Sequence, residues 1–171
     1  MTRYGWQSSW IRILTTLLTV AVMVMIFYFS TEDAEKSDRR SGVIADMLVR
    51  MIHSDYEQMQ PEEQRIVYDE AQLIVRKIAH FSEYTLLGFL IRLCMESWFG
   101  SRHNKSLTLS AIAFSAGTVY ACTDEAHQLS TAGRYGTWKD VMVDASGVMT
   151  GVLLGTLLIR LTKRNKEKPE I

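Results

Sequence analysis

Ionisable side chains recur at the edges of apolar stretches in this sequence: His80, Glu83, Asp124, Glu125, His127, Asp140 and Asp144, with Lys77, Tyr84, Gln128 and Arg134 among them. Carboxylates and imidazoles gathered this way could do three kinds of chemistry. Closely spaced carboxylates in a low-dielectric setting can serve acid–base catalysis, with Glu125 or Asp124 as the candidate base. Acids with two imidazoles also suit a divalent cation, but there is no HExxH-type pair, so no metal site is assigned and any cofactor stays unknown. A third use needs no catalysis. Lys77 and Arg134 would meet a phosphate, and the acids would meet the sugar or amine groups of a polar headgroup.

Helical spacing groups these residues further. Asp140, Asp144, Gly147 and Gly151 follow one another at intervals of four, three and four, which makes one stripe along a helix. Gly147 and Gly151 would admit a close neighbour and so read as helix-packing positions. His80 with Glu83 and Tyr84, and Asp124 with His127 and Gln128, share faces one turn apart. Simpler roles exist for several of them. His80 and Glu83 could bond each other, Asp140 could cap a helix, and Arg134 could pair with a carboxylate.

The elements that must position these groups are long apolar helices. Hydrophobic residues make up 47% of the 171 residues and charged residues 22%, but the two classes are segregated along the chain. Apolar segments fall at about 10–29, 78–99, 107–122 and 141–161, each near the ~20 residues that carry a helix across the hydrocarbon core. The first is too long for a signal-peptide core, and FSTEDAEKS offers no small-x-small cleavage site, so it reads as retained. Asp144 lies about one turn inside the fourth segment, where a charge is costly and faces protein or a wet cavity. In the polar stretch before the second span, Ile44, Met47, Leu48 and Met51 recur at helical spacing. Pro61, Glu62 and Glu63 then open another amphipathic helix. Cys94 and Cys122 sit in apolar stretches and read as buried thiols, not as a disulfide or zinc pair.

The expected fold is therefore all-α, a polytopic four-transmembrane-helix bundle with amphipathic helices in the first extracytoplasmic segment. Residues 1–171 form a single membrane domain with outer segments at 30–77 and 123–140. The N-terminal arm, the Arg102/Lys105 link and the tail with Lys163, Arg164, Lys166 and Lys168 carry the short basic pieces. By the positive-inside rule both termini are cytoplasmic and both long polar segments lie outside, which gathers the ionisable cluster at the outer end of the bundle. Lys+Arg and Asp+Glu each total 19, so no basic surplus points to nucleic acid.

Two blocks of this sequence resemble the VanZ-like family of bacterial membrane proteins. The first is Lys77-Ile-Ala-His80-Phe81-Ser-Glu83-Tyr84-Thr-Leu86-Leu87-Gly88-Phe89-Leu90. The second is Thr123-Asp124-Glu125-Ala-His127-Gln128, then Gly133-Arg134, then Lys139-Asp140-Val-Met-Val-Asp144-Ala-Ser-Gly147, with Gly151 following. The FYFST run with Ser30, Ser37 and Ser41 is similar too, whereas nothing between Ser41 and Lys77 matches. The resemblance implies a bacterial cytoplasmic membrane location and a cell-envelope role. It links the family's founding member to teicoplanin resistance, and it maps the family's shared polar residues onto Glu83, Asp124, Glu125, Gln128, Arg134, Asp140 and Asp144 without a catalytic assignment. The expected partner is an envelope lipid, precursor or lipoglycopeptide in the bilayer. A membrane-embedded hydrolase or transferase is the rival reading, and a structural partner docking through the Ile44/Met47/Met51 face is a third.

Overall fold

Helix α1, Ser9–Ser30, begins a chain that is helical almost throughout; the computed structural model describes residues 5–32, 34–100, 105–129 and 137–166. After α1 come α2 (Ala34–Ile52), α3 (Pro61–Phe99), α4 (Ser106–Gln128) and α5 (Trp138–Lys166), and no strand occurs among the described residues. Four of the five, all but α2, are long and apolar enough to cross a membrane.

Helix α3 is the axis of the molecule. Pro61 occupies its first turn, where a missing N–H costs nothing, and the Glu63 carboxylate accepts from the Gln60 N–H at 3.3 Å. Its 39 residues run without a break, about 58 Å at 1.5 Å per residue. A hydrocarbon core of ~30 Å leaves nearly half of an upright helix of that length outside. The amphipathic helix expected from Pro61 and the second span are thus one continuous helix. Nothing between them breaks it, since the polar residues from Gln72 to Lys77 are all helix-compatible.

Against the first half of α3 lies α2, forming a helical hairpin with a small core of Ala45, Val49, Ala71 and Val75. Gly42 lets the Tyr68 hydroxyl approach to where a Cβ would stand 2.5 Å away. Gln72 Nε2 donates to the Asp38 carbonyl at 2.9 Å, and Arg76 pairs with Asp38 at 3.3 Å. Met47 and Met51 remain exposed on the opposite face of α2.

The second half of α3 packs with α1, α4 and α5 around Ile26, Tyr84, Leu87, Ile91, Ala113, Ala121, Val148 and Val152. Gly147 and Gly151 of α5 meet the carbonyls of Phe81 and Thr85, and Gly88 of α3 meets the Val148 carbonyl. These backbones touch with no side chain between them, and the matching order along both helices makes α3 and α5 parallel neighbours. Contacts between α1 and α3 run the other way: Thr15 bonds Ser97 at 3.1 Å, and Arg12 donates to the Ser97 carbonyl at 2.9 Å. Trp6 donates to Thr162 at 3.0 Å, so the two described ends of the chain meet at one end of the bundle. Ile13, Leu17, Val24, Val119, Leu153 and Leu157 face outward, as lipid-facing positions do. Cys122 is exposed on that outer surface and Cys94 is partly buried with Thr16 3.5 Å away, so the expectation of two buried thiols does not hold. Among the described residues, none covers Cys122 on its face of α4.

Candidate functional site

At the end of the bundle opposite the termini, α3, α4 and α5 bring their acidic residues to one level. The apolar run ends near Cys122, but α4 continues to Gln128, so Asp124, Glu125, His127 and Gln128 belong to its last two turns. Helical geometry then decides which of them face inward. Asp124, Glu125 and Gln128 are buried, whereas His127 stacks on the α1 ring of Phe27 at 4.9 Å. Arg134 lies within 130–136, outside the described residues.

Each acid has a distinct setting. Asp124 is 4% exposed, and its Oδ2 accepts from the Tyr84 hydroxyl at 3.1 Å and from Gln128 Nε2 at 3.0 Å. Glu125 Oε1 accepts from the Thr137 backbone N–H at 2.7 Å, satisfying a donor just ahead of α5 and tying the end of α4 to the start of α5. Asp140 accepts from the Thr137 hydroxyl at 2.7 Å and lies 3.6 Å from Lys77 Nζ, which joins α5 to α3 at the rim. Deeper in the bundle, Asp144 is 1% exposed and faces His80, whose Nδ1 lies 3.6 Å from Oδ1. The glycine contacts below it bring α5 close enough to α3 for that pairing. All four acids therefore link neighbouring elements at this end of the bundle.

Some of this polarity is unspent. Among the described residues, Ser30 Oγ, Asp124 Oδ1 and both Asp144 carboxylate oxygens are buried without a hydrogen-bond partner. Buried polar groups are nearly always satisfied, so such atoms invite an explanation in ligand or solvent. Among the described residues no three His, Cys, Asp or Glu side chains are disposed to hold one metal ion.

Beside Asp124 opens a cavity of about 260 Å³ where the end of α1, the start of α2, the middle of α3 and the end of α4 converge. Its lining is mixed: Ile26, Phe29, Ile44, Val75 and Ala79 are apolar, and His80, Glu83, Asp124, Gln128 and Ser30 are polar. Arg40 and Arg76 also line it, with side chains 53% and 36% exposed. Arg40 pairs with Glu32 and lies over the Phe29 ring, its carbon 4.9 Å from the centroid. Tyr84, Glu125, His127, Asp140 and Asp144 do not line this cavity. They surround it or lie on other faces. The hairpin residues Arg40 and Arg76 were missed by reading along the chain, because both sit in a mixed-charge stretch where single bases carry no signal.

A second polar cluster occupies the other end of the bundle, and sequence reading missed it as well. Arg92 is 0% exposed; its guanidinium donates to Glu96 at 3.0 Å, to Ser110 and Thr156 at 3.1 Å each, and to Ser106 at 3.3 Å. Lys163 adds a second cation to Glu96 at 2.6 Å. An available signal was the arginine and glutamate four residues apart inside an apolar run.

The family model described as VanZ/LLP1 matches residues 15–159, from early in α1 to near the end of α5. Neither curated proteins nor solved structures yield a match. The match takes in all four long apolar helices and both polar blocks of the acidic end, and with it the chain belongs to the VanZ-like family of membrane proteins.

Proposed function

We propose that this VanZ-like protein uses the cavity at its acidic end to engage an envelope lipid, lipid-linked precursor or lipoglycopeptide, and that it contributes to teicoplanin resistance in this way. The observation that carries the reading is the cavity's mixed lining, with apolar residues such as Ile26, Phe29 and Val75 beside polar ones such as Asp124 and Gln128, which suits a molecule with both an acyl and a polar part. The basic residues at the terminal end, including Lys105, Lys163 and Arg164, support placing that end in the cytoplasm of a bacterium. The cavity then opens at the outer face, where cell-wall precursors and glycopeptides are found. The pocket extends to the residues around the cavity: Lys77 and Asp140 at the rim, Tyr84 and Glu125 holding α4, and Asp144 behind His80.

A hydrolase or transferase is the second reading, and the unpartnered Oδ1 of Asp124 favours it, since a base needs a free lone pair. Teicoplanin susceptibility in a Gram-positive host without its own homologue tests both. Wild type, Asp124→Asn, Glu125→Gln and Asp144→Asn are expressed at matched membrane levels. Protection by wild type that falls gradually in the variants supports binding, whereas loss of about 10²–10⁴-fold in a substrate-turnover assay supports catalysis. No protection by wild type removes the resistance role.

A further inference from the structure

We propose that the cavity takes a phospholipid headgroup carrying a primary ammonium, with the ammonium at Asp124 Oδ1 and Ser30 Oγ and the phosphate at Arg40 and Arg76. This inference rests on the reading of the cavity as a lipid site and names the lipid class. Four observations converge on it.

The first is that two atoms of the cavity wall are polar, buried and unpartnered: Ser30 Oγ on α1 and Asp124 Oδ1 on α4. Ser30 is 2% exposed and Asp124 4%. A buried carboxylate oxygen is costly without a donor, and Oδ2 already accepts two bonds. Both free atoms accept hydrogen bonds, so their common complement is a group with several N–H donors.

Charge layering is the second. Asp124 is 4% exposed, whereas the Arg40 and Arg76 side chains that line the same cavity are 53% and 36% exposed, so the carboxylate lies deeper than the two guanidiniums. Each guanidinium spends one nitrogen on a carboxylate, Glu32 or Asp38, and keeps further N–H donors for a phosphate. A ligand entering head first meets a site for anions and then a site for cations.

The size of the cavity is the third. Arg76 and His80, one turn apart on α3, both line it, so along that helix it spans at least about 6 Å. With a volume of about 260 Å³, it has room for a phosphate joined to an ammonium by a short ethylene link.

The apolar part of the lining is the fourth. Ile26, Phe29, Ile44 and Val75 line the cavity together with the polar residues. They would contact the glycerol and the first methylenes of a lipid, which a soluble phosphoamine lacks.

The test is lipid retention by the full chain, purified in detergent and measured by native mass spectrometry. Equal mole fractions of phosphatidylethanolamine, phosphatidylcholine and phosphatidylglycerol are offered. Phosphatidylethanolamine is expected to be retained about 10-fold over phosphatidylcholine, whose quaternary ammonium has no N–H to donate. Asp124→Asn and Ser30→Ala should abolish that preference, and Arg76→Gln should weaken ethanolamine and glycerol lipids alike. Asparagine still accepts from Tyr84 and Gln128, and an unchanged melting point will show that the fold is intact. Equal retention of choline and ethanolamine lipids, or a preference for phosphatidylglycerol that Asp124→Asn leaves untouched, overturns the ammonium assignment. Ala79→Trp, which fills the cavity, separates the two levels. If it abolishes retention of every lipid, the lipid site stands whatever the headgroup preference; if it changes nothing, both readings fail. Free phosphoethanolamine that displaces the lipid at equal concentration overturns the lipid as the source.

Discussion

Tyr84 on α3 donates a 3.1 Å hydrogen bond to Asp124 on α4, and the tyrosine ring that supports it has no exposed surface. Packing fixes the hydroxyl, and the hydroxyl fixes which oxygen of Asp124 is left for the cavity. Tyr84→Phe keeps the ring and removes only the donor. Removing one partner of a buried hydrogen bond costs about 1–3 kcal/mol, so the variant should lose unfolding free energy of that order in detergent. Its lipid retention should fall with it, because Asp124 is then free to rotate. Unchanged stability would mean that Gln128 alone holds the carboxylate.

The close approach of α3 and α5 predicts a graded response to alanine. At Gly151 an added Cβ overlaps the Thr85 carbonyl and comes within 2.6 Å of the Phe89 backbone nitrogen, neither of which can yield without moving a helix. At Gly155 the nearest atoms are Arg92 Cβ and Cγ at 3.2 Å, which a small adjustment relieves. Gly151→Ala should therefore cost at least the ~1–3 kcal/mol typical of overpacking. Gly155→Ala should cost much less. Thermal melts of the two purified variants give the comparison, and equal costs would contradict the backbone contact.

How far the sequence alone leads is clear from particular residues. The long helices are legible because lipid demands unbroken apolar length, as in the stretch from Trp10 to Phe29. The acidic end is legible because charges such as Asp144 are expensive inside such a helix. The continuity of α3 is not, since Lys77 and Arg76 look like a boundary yet are compatible with a helix that leaves the bilayer. Partnership is not legible either. Nothing local tells Asp124, which faces the cavity, from Glu125, which ties α4 to Thr137; one residue of helical rotation separates their roles. Arg92 was legible only as far as its pair with Glu96 four residues on, because its other partners Ser110 and Thr156 come from other helices.

That arginine supports a third prediction. Arg92 and Glu96 are both buried, and removing one partner leaves the other charge uncompensated, which typically costs ~3–5 kcal/mol. Glu96→Gln should therefore destabilise strongly, because it leaves the fully buried Arg92 guanidinium without its carboxylate. The double variant Arg92→Met with Glu96→Gln should recover much of the loss, since a shaped apolar side chain replaces the charge. Chemical or thermal unfolding of the three proteins reads out the coupling. A double variant as unstable as Glu96→Gln would show that the network matters for its neutral bonds to Ser106, Ser110 and Thr156, not for its charges.

Orientation can be tested with single cysteines. Glu57, at the tip of the helical hairpin, has a side chain 71% exposed, and Lys105 is exposed at the other end, before α4. In a background where Cys94 and Cys122 are replaced, Glu57→Cys should react with a membrane-impermeant maleimide in intact cells. Lys105→Cys should react only after permeabilisation if the positive-inside rule places that end in the cytoplasm, as proposed. The length of α3 adds a further expectation. With nearly half of an upright helix outside the hydrocarbon, Glu62→Cys, one turn from the tip, should label as fast as Glu57→Cys. Slow labelling at both hairpin positions with fast labelling at Lys105→Cys would invert the protein. The cavity would then face the cytoplasm, and an extracellular glycopeptide could not reach it.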